Sequence, residues 1–342
     1  MVCRYVGFDT AKPSRFSHRR AMHISPLFTS SSALAALVGG VGIGCAASIY
    51  TYFNKDTMPS STFNWYTTTG MLAASALVSG VVGPGLAGAS FFEASFLSSA
   101  SLPWLAGCGA LVGLGSGMGK GCTSGNGIQG LACCSKASLA FVMIFMAGSG
   151  VAAALVDQSA ALAPVPSVFS TNLALVQLGL LLVQGAFGWM ATEMEPTDRL
   201  LPVSNVAAGA GFAVSLVQAS MVKPSKVLGF LNFAGPLGWD PSLAFVMGGG
   251  VLVALPLFQL GGLVKSGSAE LQAFAARPID AATVVGGALF GAGWGLSGLC
   301  PGPGIVGAGA GSLGSAVWMC SMFGAREAVS RAVAAKEVGK AK

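Results

Sequence analysis

Long apolar stretches alternate along the chain with short polar connectors, a pattern typical of helical membrane proteins. A membrane-spanning helix needs about 20 mostly apolar residues. The stretches that approach this length are 32–53, 66–88, 101–118, 138–156, 171–191, 203–222, 242–264, 282–298 and 310–325. The pattern therefore predicts an all-α integral membrane protein with eight or nine hydrophobic crossings.

The stretches 101–118 and 282–298 are short, and each runs into a glycine-rich segment that is repeated in the chain. Residues 113–130 have the sequence GLGSGMGKGCTSGNGIQG, and residues 291–307 have the sequence GAGWGLSGLCPGPGIVG. The leading glycines and the cysteine recur at an offset of 178, and Gly-x-Gly-Ile-x-Gly recurs at 177. A glycine-broken segment at matching positions of two membrane halves indicates a transport site.

This repeat divides the chain into two halves, which we predict to be inverted repeats with broken helices meeting at the bilayer middle. The first repeat covers residues 31–191 and the second covers residues 203–325, with a polar connector at 192–202. Residues 1–30 form a basic N-terminal tail, either disordered or a targeting segment. Residues 326–342 form a basic C-terminal tail.

Composition supports lipid as the solvent of this chain. Charged residues make up 9% of the chain, against roughly 25% in soluble domains, and the mean hydropathy is +0.72. The net charge of +6 comes from the two basic ends, so it does not indicate nucleic-acid binding. Basic ends favour cytoplasmic termini. We expect a plasma or inner membrane location, or an organellar membrane if residues 1–30 are a targeting segment.

The repeated segments contain residues that break helices. Backbone outside a helix is tolerated within a membrane only where it is buried in protein or lines a wet cavity. Glycine permits such turns and proline interrupts a helix, so we expect non-helical backbone in both copies. The residues concerned are Gly125, Gly127, Pro301, Gly302, Pro303 and Gly304.

The chemistry of these breaks favours a small anion. Helices that restart near Ile128 and Ile305 would direct N–H groups and positive dipole ends into a cavity, and Lys120 adds positive charge. Cys122 and Cys300, which match in the repeat, offer weak donors and polarisable sulfur. Such a lining suits an oxyanion with a terminal sulfur better than sulfate or phosphate.

Other functions remain open at this point. A membrane enzyme could carry a persulfide on Cys122, which requires an accessible thiolate, and a structural or receptor protein would move no substrate. The adjacent pair Cys133 and Cys134 could hold a soft metal. Because both histidines lie in the N-terminal tail, a zinc site is poorly supported. Of these alternatives we favour transport, and we predict a protein that is not an enzyme and has no cofactor.

These motifs resemble the YeeE/YedE family of sulfur-compound transporters. The similar stretches are 119–135, 223–249 and 291–304, and the resemblance extends over roughly residues 32–325. In bacteria the two halves are often separate short proteins, and here they look fused.

The resemblance implies uptake of thiosulfate through an hourglass-shaped protein, with the ion passed along cysteines at the constriction. It assigns this relay to Cys122 and Cys300, with Cys45 as the nearest match to a third family cysteine. Lys120 and Lys226 would attract the ion, and backbone N–H groups at the glycine-rich breaks would coordinate its oxygens. A soluble sulfur-carrier protein is a further candidate partner.

Overall fold

The computed structural model of the chain describes residues 24–25, 28–54, 64–82, 101–155, 169–191, 200–233, 238–260, 264 and 269–340. Apart from an isolated bridge between Ile24 and Trp239, these residues form helices and the turns that join them. Most of the predicted N-terminal tail and of the connector 192–202 lies outside the described residues, as does the end of the predicted crossing 66–88.

The helices follow the predicted apolar stretches to within a few residues at most ends. In chain order they are α1 (Ser30–Phe53), α2 (Trp65–Leu77, continued by a π-helical turn at Val78–Val82), α3 (Leu102–Met118), α4 (123–132, with a π-helical turn at Gly125–Gly130), α5 (Lys136–Leu155), α6 (Thr171–Trp189), α7 (Leu200–Gln218), α8 (Pro224–Leu231), α9 (Ser242–Gln259), α10 (Ala269–Ala276), α11 (Ala281–Ser297), α12 (Pro301–Gly309) and α13 (Leu313–Lys340). The predicted C-terminal tail thus continues α13 as helix.

Several helices are long and apolar enough to span a bilayer, so the protein is an all-α membrane protein. Within the described residues, five helices meet that requirement: α1, α5, α6, α7 and α9. The pair α10 and α11, bent by 83°, is a sixth candidate, and α3 is an apolar helix of 17 residues. The larger number of eight or nine crossings stays a prediction.

Polar caps explain where several helices begin. The side chain of Thr29 accepts a hydrogen bond from the Ser32 N–H at the start of α1. The Asp280 carboxylate accepts one from the Thr283 N–H at the start of α11. A side-chain oxygen at this position satisfies a backbone donor that has no partner within the helix.

Glycines of the repeated segment bring helices of the two halves into backbone contact. A Cβ added to Gly113 on α3 would lie 2.2 Å from the Met322 carbonyl oxygen on α13. A Cβ added to Gly291 on α11 would lie 2.5 Å from the Phe145 carbonyl oxygen on α5. One turn earlier on each helix, an added Cβ would lie 2.3 Å from the Trp318 carbonyl oxygen at Gly109 and 3.3 Å from the Phe141 carbonyl oxygen at Gly287. Each broken helix therefore packs against the helix that follows the break in the other half.

The remaining helices exchange partners between the halves in the same way. Helix α1 packs on α9, and α2 packs on α7. The short helix α12 packs on α2, and α4 packs on α9. Helix α6 lies outside this scheme and packs on α1 and α7. The exchanged contacts enclose the two short helices α4 and α12 at the centre of the fold.

Candidate functional site

Both copies of the repeat interrupt a helix immediately before the repeated cysteine. In the first copy α3 ends at Met118 and α4 begins at residue 123; in the second, α11 ends at Ser297 and α12 begins at Pro301. The carbonyl of Cys122 accepts a hydrogen bond from the Asn126 N–H at 2.8 Å, and that of Cys300 accepts one from the Gly304 N–H at 2.9 Å. Each cysteine thus occupies the N-terminal cap of a short helix.

The breaks are shorter than the sequence predicted. Non-helical backbone was expected through Pro301 and Pro303, but α12 begins at Pro301 and contains both prolines, so that prediction is wrong. Proline is tolerated in the first turn of a helix because the N–H that it lacks would have no intrahelical partner there. The helix N-termini accordingly lie at residues 123 and 301, earlier than the expected restarts near Ile128 and Ile305.

The left-handed backbone that turns each break lies before the cysteine. Lys120 has a φ of 54°, and Gly298, which matches it in the repeat, has a φ of 66°. The four glycines expected to form these turns, Gly125, Gly127, Gly302 and Gly304, are helical. A side chain at Gly298 would also meet the Pro224 carbonyl oxygen at 2.8 Å. The second copy therefore needs glycine where the first copy accommodates lysine.

Cys122 and Cys300 line the same cavity, which has a volume of about 420 Å³. Helices α1, α4, α5, α7, α8, α9, α11 and α12 contribute its walls. Most of the lining is apolar, and no Asp, Glu, Lys or Arg is among the described residues that line it. Besides the two cysteines, the lining side chains that carry polar atoms are those of Thr123, Ser124 and Trp294.

The two thiols are buried and interact with these hydroxyl groups. Cys122 is 9% exposed and Cys300 is 8% exposed. The sulfur of Cys122 lies 3.1 Å from the Ser124 hydroxyl. Cys300 interacts with the Thr123 hydroxyl, and Thr123 lines the cavity together with both cysteines. The structure therefore brings together the two residues that the repeat singled out.

Backbone donors accompany the thiols at the two helix N-termini. The first N–H groups of a helix have no partner within it and carry the positive end of the helix dipole. Pro301 and Pro303 have no N–H, so Gly302 supplies the peptide donor between them. Residues 123–125 can all donate. The first half therefore offers the richer set of backbone donors.

The other predicted site residues are placed unevenly around this cavity. Gly127 and Gly302 line it, whereas Gly125 and Gly304 do not. Gly304 packs against the Trp318 ring, 2.9 Å from where its Cβ would lie. Cys45 is partly buried on α1 but does not line the cavity.

The two predicted lysines also lie outside the cavity lining. Lys120 is exposed. Lys226 is buried, with its ammonium nitrogen 2.8 Å from the Asp240 carboxylate. Asp240 also accepts hydrogen bonds from the backbone N–H and the hydroxyl of Ser242. The charge of Lys226 is thus paired within the protein.

Arg277 is a residue at the first break that the sequence did not single out. Its guanidinium donates to the Gly119 carbonyl at 2.8 Å, to Asn126 Oδ1 and to the Ser138 hydroxyl at 3.2 Å. It thereby joins the end of α3 to the start of α4. No local signal could have identified it, because these partners are 139 to 158 residues away in the chain.

Among the residues that the structure describes, the second break has no equivalent of this polar network. Ser315 matches Ser138 in the repeat, but its buried hydroxyl has no hydrogen-bond partner in the described part of the chain. The residue that would correspond to Asn126 is Pro303, which has no side-chain acceptor. Among the described residues, no group of three or more His, Cys, Asp or Glu side chains could hold a metal ion.

Comparison with known proteins places the chain among membrane transporters. Residues 201–334 match a family of unknown function (DUF6691). Over 104 residues the chain is 42% identical to a probable transporter of Xylella fastidiosa strain 9a5c, an alignment that covers 30% of this chain and 70% of the relative. A probable transporter of strain Temecula1 is also 42% identical over 104 residues, covering 30% of this chain and 69% of the relative. No solved structure matches. The chain belongs to the same family as these probable transporters.

Proposed function

We propose that this membrane transporter imports thiosulfate or a related small sulfur-containing anion, with Cys122 and Cys300 as the relay. One observation carries the proposal: both repeated cysteines line a single cavity, each at the N-terminus of a short helix. The transporter relatives support the general activity, and the resemblance of the motifs to the YeeE/YedE family supports the sulfur anion.

The cavity can hold an anion without a charged side chain. Each helix N-terminus carries an effective charge of roughly half an elementary charge, and free N–H groups add direct donors. The thiols and the hydroxyl groups of Thr123 and Ser124 supply weaker, neutral donors. Weak binding at several neighbouring groups allows an ion to leave as well as to enter, which conduction requires.

Residues outside the cavity have a different part in this proposal. Lys120 is exposed, so it can attract anions from solution toward the first break. Lys226 is paired with Asp240, so we assign it to holding α8 and the segment before α9 in place.

Uptake of labelled thiosulfate into liposomes containing the purified protein tests the proposal. We expect Cys122→Ala and Cys300→Ala to abolish uptake, and Cys108→Ala to retain it. Cys108 is a suitable control because it is 2% exposed and lies outside the cavity lining. Unlabelled sulfate and sulfite should compete more weakly than thiosulfate.

Undiminished uptake in both cavity variants would contradict the relay, and absence of uptake by the wild type would contradict the proposed transport. Mass spectrometry after exposure to thiosulfate separates transport from the enzymatic alternative. A persulfide on Cys122 would favour sulfur transfer, whereas free thiol throughout turnover supports passage of the intact ion.

A further inference from the structure

The wall of the cavity contains a buried hydrogen-bond donor that the repeat does not account for. Trp294 lies on α11, is 1% exposed and lines the cavity beside Cys300. Its indole Nε1 is buried and makes no well-formed hydrogen bond within the described residues; the group that it approaches is the Cys300 thiol, which is a weak acceptor. Indole N–H groups usually find a partner when buried, and leaving one without an acceptor costs free energy. A stronger acceptor that is bound at this thiol can therefore compete for the indole donor.

The position of the ring is held by its surroundings. Phe145 on α5 meets it edge to face, with ring centroids 5.4 Å apart, and Phe290 lies one turn earlier on α11 with centroids 6.5 Å apart. The Trp294 carbonyl accepts a hydrogen bond from the Gly298 N–H, which closes the end of α11. The indole is thus fixed on the last turn before the second break.

The Trp294 indole also interacts with the Cys300 thiol, so an acceptor atom bound at this thiol would lie near the indole donor. In the first copy the matching residue is Ser116, whose hydroxyl already donates to the Gly113 carbonyl. An available side-chain donor on the broken helix is therefore a property of the second half alone, within this matched pair.

We propose that Trp294 is a specificity-determining residue, whose indole N–H donates a hydrogen bond to the anion while it is bound at Cys300. This inference rests on the proposed function and adds a contact to it. The indole can donate but cannot accept, so it favours ligands that present an acceptor oxygen or sulfur. It partly compensates for the two N–H groups that Pro301 and Pro303 remove from this side of the cavity.

Trp294→Phe tests this inference, with Trp318→Phe as the matched control. Trp318 is 0% exposed, and its Nε1 donates to the Ser297 hydroxyl at 3.3 Å, outside the cavity lining. Both substitutions remove the same atoms from a buried ring, and Trp318→Phe also breaks the hydrogen bond to Ser297, so the control perturbs folding at least as much as the test variant. Uptake of sodium thiosulfate into liposomes would be measured as a function of its concentration.

For Trp294→Phe we expect the KM to rise by about tenfold, which corresponds to one hydrogen bond to a charged group, while Trp318→Phe keeps the wild-type KM. Trp294→His, which retains a ring N–H, should recover part of the affinity. If Trp294→Phe has the wild-type KM, or if both phenylalanine variants change it equally, the inference is wrong.

Failure of the proposed function gives a different result. If the wild type takes up no thiosulfate, its uptake of sulfate, sulfite and thiocyanate would be measured. The same variants would then be assayed with whichever of these anions the wild type transports. A selective KM change in Trp294→Phe would then support the contact for that anion. A wild type that transports none of the four anions would overturn both the function and the contact.

Discussion

Gly113→Ala should destabilise the protein because α3 and α13 are in backbone contact at this residue. The added Cβ would lie 2.2 Å from the Met322 carbonyl oxygen, whereas real Cβ atoms essentially never approach a heavy atom within 3.0 Å. The contact must therefore open by at least 0.8 Å, the difference between these distances. Overpacking of this kind costs about 1–3 kcal/mol. A carbonyl within a helix cannot rotate aside as a flexible side chain could.

The same helix offers a matched control. Gly107 is exposed on α3, and an added Cβ there would meet nothing within 4 Å. Gly107→Ala should be neutral or stabilising by up to about 1 kcal/mol, because alanine loses less backbone entropy than glycine in a helix. Both effects would be measured by thermal unfolding of the detergent-purified variants, with size-exclusion chromatography as the readout of the protein that remains folded. Equal midpoints for the two variants would refute the argument from backbone contact.

Two further predictions concern the first break. Lys120→Gly should stabilise the protein by about 1 kcal/mol, because Lys120 has a left-handed φ of 54° that glycine adopts without strain; a lower thermal midpoint than the wild type would contradict this. Arg277→Met should destabilise it by about 1–3 kcal/mol, because the Gly119 carbonyl loses the shorter of its two side-chain hydrogen bonds and Asn126 Oδ1 loses its guanidinium donor. Arg277→Lys should restore part of that loss in the same thermal assay, and an Arg277→Met variant as stable as the wild type would show that this network is dispensable.

The class of fold and the central pair of cysteines could be predicted from local sequence properties. Apolar stretches of spanning length require helices because lipid offers no partners for exposed backbone groups. The repeat placed Cys122 and Cys300 at equivalent positions, and the structure finds both in one cavity. Equivalent positions in a repeated fold experience equivalent backbone geometry, so this inference needed no knowledge of distant contacts.

The details of the breaks could not be predicted in the same way. Proline was expected to exclude helix from residues 301–304, but a proline interrupts a helix only where an earlier turn exists for it to disrupt. Where α12 begins therefore depends on where α11 ends, and Gly298 closes α11 at that point with a left-handed turn. Composition alone does not set this boundary.

The partners of individual side chains were decided by tertiary structure. Arg277 lies in a connector, and Trp294 lies on an apolar helix. Nothing in their neighbouring residues indicates which side chains and backbone groups they contact. Arg277 bridges the broken helix of the other half, and Trp294 brings its indole N–H to the weakly accepting thiol of Cys300. The sequence alone determined the spanning helices and the matched cysteines, because these follow from hydropathy and repetition along the chain. Which charges are paired and which donors remain available depends on residues that only folding brings together.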